Sequence, residues 1–154
     1  MTPELDFPAT LPCFLREGYS LDHTQPFART EMATGRARQR RTFQSVPSEI
    51  TASLLLTDGE AQLFEAWFAY DADDGAKWFN ARVKTPQGFK PYACRFMEMY
   101  RGPQLTGNNQ WRVECRLEVF ERPLTPPEWY EYGQEFILGS SIIDLAVNRE
   151  WPKP

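Results

Sequence analysis

The chain has 154 residues, a length that suits one domain of ordinary size and is too short for two full-sized ones. Hydrophobic residues make up 42% and aromatic residues 14%, enough apolar surface to outweigh chain entropy, which excludes wholesale disorder. A formal net charge of -4 repels a polyanion in bulk, so nucleic-acid binding would have to rest on a local patch, and the balance argues against it.

No stretch approaches the roughly 20 apolar residues of a membrane span. The segment Met1-Thr2-Pro3-Glu4-Leu5-Asp6 lacks the positive-then-apolar order of a secretory leader. The expectation is therefore a protein that stays in the cytoplasm where it is made, with no membrane partner. Cys13, Cys94 and Cys115 show no CxxC spacing and cannot complete a disulfide framework, so they read as reduced thiols. With His23 as the single histidine, the chain lacks the clusters of most transition-metal sites, and His23 has no partner in a recognisable catalytic motif.

In chain order, residues 1–28 hold Pro3, Pro8, Pro12, Pro26 and Gly18, which break helices and allow an arm or edge segment. Residues 29–123 read as the core domain. Within it, Arg29 to Phe43 is extended, with a turn at Thr34-Gly35 that predicts a hairpin. Glu49 to Leu56 is rich in strand formers and runs into Thr57-Asp58-Gly59-Glu60, the spacing of a capping box. A helix over 57–73 follows, with Leu63, Phe64, Trp67 and Phe68 as its apolar face and Asp71, Asp73, Asp74 and Gly75 at its end.

Trp78 to Lys84 and Tyr92 to Tyr100 read as strands around a turn at Thr85-Pro86-Gln87-Gly88. Leu105 to Asn109 reads as a hairpin loop. Trp111 to Phe120 then alternates Trp111, Val113, Cys115, Leu117 and Val119 against Arg112, Glu114, Arg116 and Glu118, so one face is buried and the other wet. Residues 124–154 form a C-terminal helix and tail. Thr125 and Glu128 hold capping-box spacing, a helix over Pro126 to Ile137 places Trp129, Tyr132 and Phe136 on one side, and Ile142, Ile143, Leu145, Val147 and Trp151 follow. The pattern predicts a mainly β fold of the α+β kind, a β-sandwich or split barrel with one inserted helix and a C-terminal helical or extended tail.

No catalytic residue, cofactor site or metal site is expected. The acids at 71–75 followed by glycine fail the spacing of a calcium loop, which would need glycine at position 76 and an acid at position 82, where Ala76 and Arg82 stand. Ser53, Ser140 and Ser141 lie outside any nucleophile elbow. Trp67, Phe68, Trp78 and Phe79 form the densest aromatic group, and core packing explains them better than a ligand platform does. Arg36, Arg38, Arg40 and Arg41 make the single basic cluster, with Arg36, Arg38 and Arg40 on one strand face and Arg41 on the other. They suit a cationic edge or a subunit contact in which guanidinium takes carboxylate.

Glu17-Gly18-Tyr19, Arg29-Thr30, Gly35-Arg36-Ala37-Arg38-Gln39-Arg40-Arg41-Thr42-Phe43, Leu56-Thr57-Asp58-Gly59-Glu60, Phe64-Glu65-Ala66-Trp67-Phe68, Gly75-Ala76-Lys77-Trp78-Phe79 and Glu121-Arg122-Pro123 follow one another. In this order of parts the chain resembles the minor tail or distal tail proteins of long-tailed bacteriophages, over roughly Leu11 to Pro123. The resemblance implies a structural virion protein with no enzymatic activity. It would form a homo-oligomeric ring, usually a hexamer, that joins the tail tube to the tip or baseplate hub. Residues 123 to 128 and the segment after them depart from the short family ending. A tail-completion or head-to-tail adaptor protein, or a small nucleic-acid-binding module using the Arg36 to Arg41 edge, are the alternative readings. The interface candidates are Arg36, Arg38, Arg40, Arg41, Trp129, Tyr132, Phe136, Ile142, Ile143, Leu145 and Trp151.

Overall fold

The computed structural model describes residues 2–33 and 35–139. Packing divides the chain into two compact units, Met1–Pro123 and Leu124–Pro154. The first is mainly β. Its elements are β1 (Leu5–Asp6), β2 (Ser20–His23), β3 (Phe27–Thr30), β4 (Arg38–Arg41), β5 (Ser48–Leu56), α1 (Asp58–Tyr70), β6 (Phe79–Thr85), β7 (Gly88–Phe96), β8 (Arg101–Thr106) and β9 (Gln110–Val119).

Seven strands form one sheet in the order β1-β6-β7-β9-β5-β2, with β8 also paired to β9, while β3 and β4 form a separate two-stranded sheet. The large sheet is mixed, because β1 joins β6 in parallel and its other neighbours are antiparallel. The path ends at two short edges, β1 and β2, so the arrangement is sandwich-like and not a closed barrel.

β9 is the hub. Along one side it pairs with β5 from Ser48↔Val119 to Leu56↔Trp111, and along the other it takes β7 near its end and β8 near its start. Its alternation is as the sequence predicts. Val113, Cys115, Leu117 and Val119 are buried beside Leu54, Ala52, Ile50 and Ser48, whereas the opposite face carries Arg112, Glu114, Arg116 and Glu118. Three of the four charges on that wet face are paired. Arg116 meets Glu49 at 2.9 Å, Arg95 meets Glu118 at 2.7 Å and Arg112 meets Glu17 at 2.7 Å.

α1 begins where the capping box places it. The Glu60 carboxylate accepts the Thr57 backbone N–H at 2.8 Å and the Thr57 hydroxyl at 3.0 Å. The buried face consists of Ala61, Phe64, Trp67 and Phe68, while Leu63, expected on that face, is 42% exposed. Phe64 and Phe68 set their rings edge-on against Tyr100, and Trp67 stands edge-on to Phe79. Edge-to-face pairs of this kind add about 0.5–1.5 kcal/mol each beyond area burial. After the helix the chain turns at Asp73 and Asp74, both at positive φ, and at Gly75, where an added Cβ would lie 3.0 Å from the Phe68 ring.

The N-terminal stretch takes the edge-segment alternative. Leu5, Phe7, Phe14, Tyr19 and Leu21 pack on the core, Leu11 is buried, and Asn80 Nδ2 donates to the Pro3 carbonyl and to Asp6 Oδ1, each at 2.9 Å. Several boundaries differ from the sequence reading: α1 ends at Tyr70 and not at residue 73, β6 starts at Phe79 and not at Trp78, and β9 spans Gln110–Val119 and not Trp111 to Phe120. β7 starts at Gly88 and ends at Phe96 instead of running from Tyr92 to Tyr100, and Leu105 and Thr106 belong to β8, leaving Gly107, Asn108 and Asn109 as the turn.

In the second unit, α2 (Pro127–Tyr132) is followed by Gly133 and a further helical segment over 134–139. The expected capping box at Thr125 does not form. Pro126 occupies the cap position and makes no side-chain hydrogen bond there.

Candidate assembly surfaces

The β3–β4 hairpin pairs Phe27↔Arg41, Ala28↔Arg40, Arg29↔Gln39 and Thr30↔Arg38, and all eight residues are exposed. Strand alternation puts Arg38 and Arg40 on one face, over the small Thr30 and Ala28, and Arg41 on the other. Arg36 precedes β4, so the strand alternation expected to align it with Arg38 and Arg40 does not reach it. The Arg41 guanidinium donates to the carbonyls of Phe43 and Gln44, at 2.9 and 2.7 Å. Among the described residues, no carboxylate lies within 4.0 Å of Arg36, Arg38 or Arg40. The guanidinium–carboxylate contact expected of these arginines is one between subunits, and no described carboxylate of the same chain takes that place.

A two-stranded hairpin is marginally stable by itself in water. At its base, Thr42 and Phe43 donate to the Pro26 carbonyl at 2.8 and 3.1 Å. Met32 and Phe43 are also exposed.

The second unit carries the other set of candidates. Trp129 is 58% exposed, Tyr132 83% and Phe136 66%, and with Glu128 and Gly133 they line a hollow of about 270 Å³. They share one side, as the helical spacing predicts, although Gly133 interrupts the helix between Tyr132 and Phe136. Ile142, Ile143, Leu145 and Trp151 lie outside the described residues. So does Thr34, half of the expected turn.

The remaining chemistry is scattered. Sequence reasoning gave His23 no partner, yet its Nδ1 lies 2.8 Å from Ser48 Oγ, and the two are cross-strand neighbours in the β2–β5 ladder. Twenty-five residues of separation hide such a pair from any local motif. Ser48 is 0% exposed, so this hydrogen bond fastens the edge strand and does not present a nucleophile to solvent. Trp67, Phe68 and Phe79 are buried together, whereas Trp78 sits apart with Phe120 edge-on at 5.3 Å and the Arg95 guanidinium 4.6 Å above its ring. A cleft of about 400 Å³ runs between residues 6–14 and the β6–β7 hairpin; its ionisable lining groups are Asp6, Cys13 and Arg82. Asp6 is held by Asn80, and Arg82 lies 4.8 Å over the Phe89 ring. No group of three or more His, Cys, Asp or Glu side chains suited to a metal ion occurs among the described residues, and no described helix is long and apolar enough to cross a membrane.

Burial governs the thiols. Cys94 and Cys115 are enclosed by the core, and desolvation pushes each thiol up from 9.0 to about 12. Desolvation also raises Tyr19 to about 12, while its hydroxyl donates to the Lys84 carbonyl at 2.7 Å. A raised folded-state pKa means that, as pH climbs past 9, the unfolded chain releases these protons while the folded chain keeps them. Stability should therefore hold up to about pH 9 and fall progressively toward pH 12. Denaturation followed at stepped alkaline pH checks this, and a flat profile would count against the buried thiols. At pH 8 a thiol reagent should titrate only the exposed Cys13 in the native protein, and all three cysteines after unfolding.

Comparison with protein-family models, with curated proteins and with solved structures finds no match to this chain.

Proposed function

We propose that this chain is a structural subunit of a ring in a bacteriophage tail, joining the tail tube to the tip or baseplate. One observation carries the reading. The chain turns outward two unlike surfaces, an arginine-bearing hairpin exposed on both faces and an aromatic helical segment with Trp129, Tyr132 and Phe136 in water. Two complementary, non-identical patches are what head-to-tail contacts need in order to close into a ring. The resemblance of its order of sequence parts to that of minor tail and distal tail proteins supports the same role.

The mechanism is geometric. The core supplies a rigid body, the exposed surfaces supply contacts, and no bond-making step is involved. Purified protein should show, by solution mass and by imaging, closed rings of several copies. Truncation after Pro123 should leave the first unit folded and shift the mass to the monomer. Rings unchanged by that truncation would remove the C-terminal unit from the assembly. A micrograph placing the subunit at the head-proximal end of the tail would favour the adaptor reading.

The hairpin also favours a second reading, a nucleic-acid-binding module. In that case the protein would be retained on DNA with a steep salt dependence, losing about 0.9 of a log unit in affinity per phosphate contact for each tenfold rise in salt.

A further inference from the structure

The hairpin and the second unit are opposite in charge as well as unlike in shape. Residues 27–41 hold five arginines against one acid, Glu31, while residues 124–139 hold Glu128, Glu131 and Glu135 and no lysine or arginine. Arg95, Arg112 and Arg116 of the large sheet take carboxylates at 2.7–2.9 Å, whereas Arg38 and Arg40 enter no ion pair among the described residues.

The geometry points to a direct pairing between copies: the Arg38/Arg40 face of one subunit's hairpin receives the Glu128–Phe136 segment of the next subunit. This rests on the ring reading and specifies which surfaces meet. Arg38 and Arg40, two apart on a strand, stand about 6.5–7 Å from each other. Glu128 and Glu131, three apart on α2, stand about 5–6 Å from each other, so the two pairs can engage at once.

On that face the two arginines stand beside the small side chains of their cross-strand partners, Thr30 and Ala28. The exposed rings of Trp129, Tyr132 and Phe136 can lie across these small side chains, where the guanidinium groups can stack on them. Docking would also cover a hairpin that otherwise has water on both faces. Alternating strand arginines favour this occupant over a polyanion, because they form a short edge and lack the interleaved aromatic rings on which bases stack.

The test uses four full-length proteins: wild type, R38E/R40E, E128K/E131K, and a chain carrying all four substitutions. All the altered side chains are exposed, so folding, checked by circular dichroism, is retained. Sedimentation across a concentration series at low salt should show wild type self-associating and each two-residue variant associating at least about tenfold more weakly. An equimolar mixture of the two variants should recover wild-type association, since the reversed hairpin of one meets the reversed helix of the other. The four-residue chain should recover it alone.

Association of R38E/R40E at wild-type strength would overturn the pairing, as would a mixture that stays dissociated or a wild type that remains monomeric throughout. Loss of DNA retention in R38E/R40E with self-association unchanged would also overturn it and assign the hairpin to nucleic acid. The two levels separate cleanly. Rings formed by R38E/R40E would leave the ring standing without this pairing, whereas charge-dependent association that stops at a dimer would leave the pairing without the ring.

Discussion

Phe64→Ala should lower the free energy of unfolding by about 3–5 kcal/mol, while Leu63→Ala, one residue earlier on the same helix, should change it by less than about 1 kcal/mol. Phe64 is 0% exposed and its ring lies 5.1 Å from Tyr100 and 6.4 Å from both Trp67 and Phe68. Truncation removes the transfer free energy of a whole ring and leaves a cavity that these large neighbours cannot close without tilting out of their own contacts. Leu63 is 42% exposed, and alanine is at least as good a helix former, so the loss of its side chain is nearly neutral. Against a typical stability of about 5–15 kcal/mol, the Phe64 cost is large enough to read directly from a urea midpoint. Equal costs at the two positions would mean that α1 is rotated about its axis relative to the face described above.

The reason Leu63 misled while Phe64 did not lies in the width of a helical stripe. Residues 63, 64, 67 and 68 all satisfy an apolar repeat, yet α1 meets the sheet along a narrower line that runs through Ala61, Phe64, Trp67 and Phe68. Only tertiary contact decides which edge of the stripe is wet. Where one element supplies its own evidence, the sequence was a reliable guide: the Thr57–Glu60 box marked the start of α1, and strict alternation in β9 marked both its faces. Pro91 shows the opposite case. A proline argues against a strand interior, yet it lies inside β7, because over that stretch the described partner of β7 is β6 alone and the missing N–H interrupts no second ladder. Long-range pairs such as His23 with Ser48, or Trp111 donating to Asp58 at 2.6 Å, depend on strand register, which local patterning does not contain. Among the surface candidates, Arg38 and Arg40 were legible as a shared strand face. Their separation from Arg41 in bonding, and the interruption at Gly133, were not.

Gly102→Ala should cost on the order of 3 kcal/mol, whereas Gly107→Ala, at the tip of the same hairpin, should stay within about 0.5 kcal/mol of wild type. Gly102 adopts φ +102, a conformation that L side chains rarely take, at the irregularity where the β8–β9 register shifts between Arg101 and Gln104. A Cβ there would sit 2.6 Å from the Arg112 carbonyl oxygen and 3.1 Å from the Gln104 nitrogen, both of them backbone atoms. No rotamer change can relieve such a clash. Either β8 lifts away from β9 or residue 102 abandons its φ, and in both cases the pairs Gln104↔Arg112 and Leu105↔Trp111 loosen. At Gly107 an added Cβ meets nothing within 4 Å and φ is not in the left-handed region, so the substitution only trims the freedom of the unfolded chain. Chemical denaturation gives the two magnitudes. Hydrogen exchange locates the damage, since the β8 amides should lose protection in Gly102→Ala well before those of β5, which is bound to β9 along its whole length. Uniform loss of protection across both strands would instead mean that β8 and β5 unfold as one unit with β9, making the bulge at Gly102 a determinant of the entire sheet rather than of its outer hairpin.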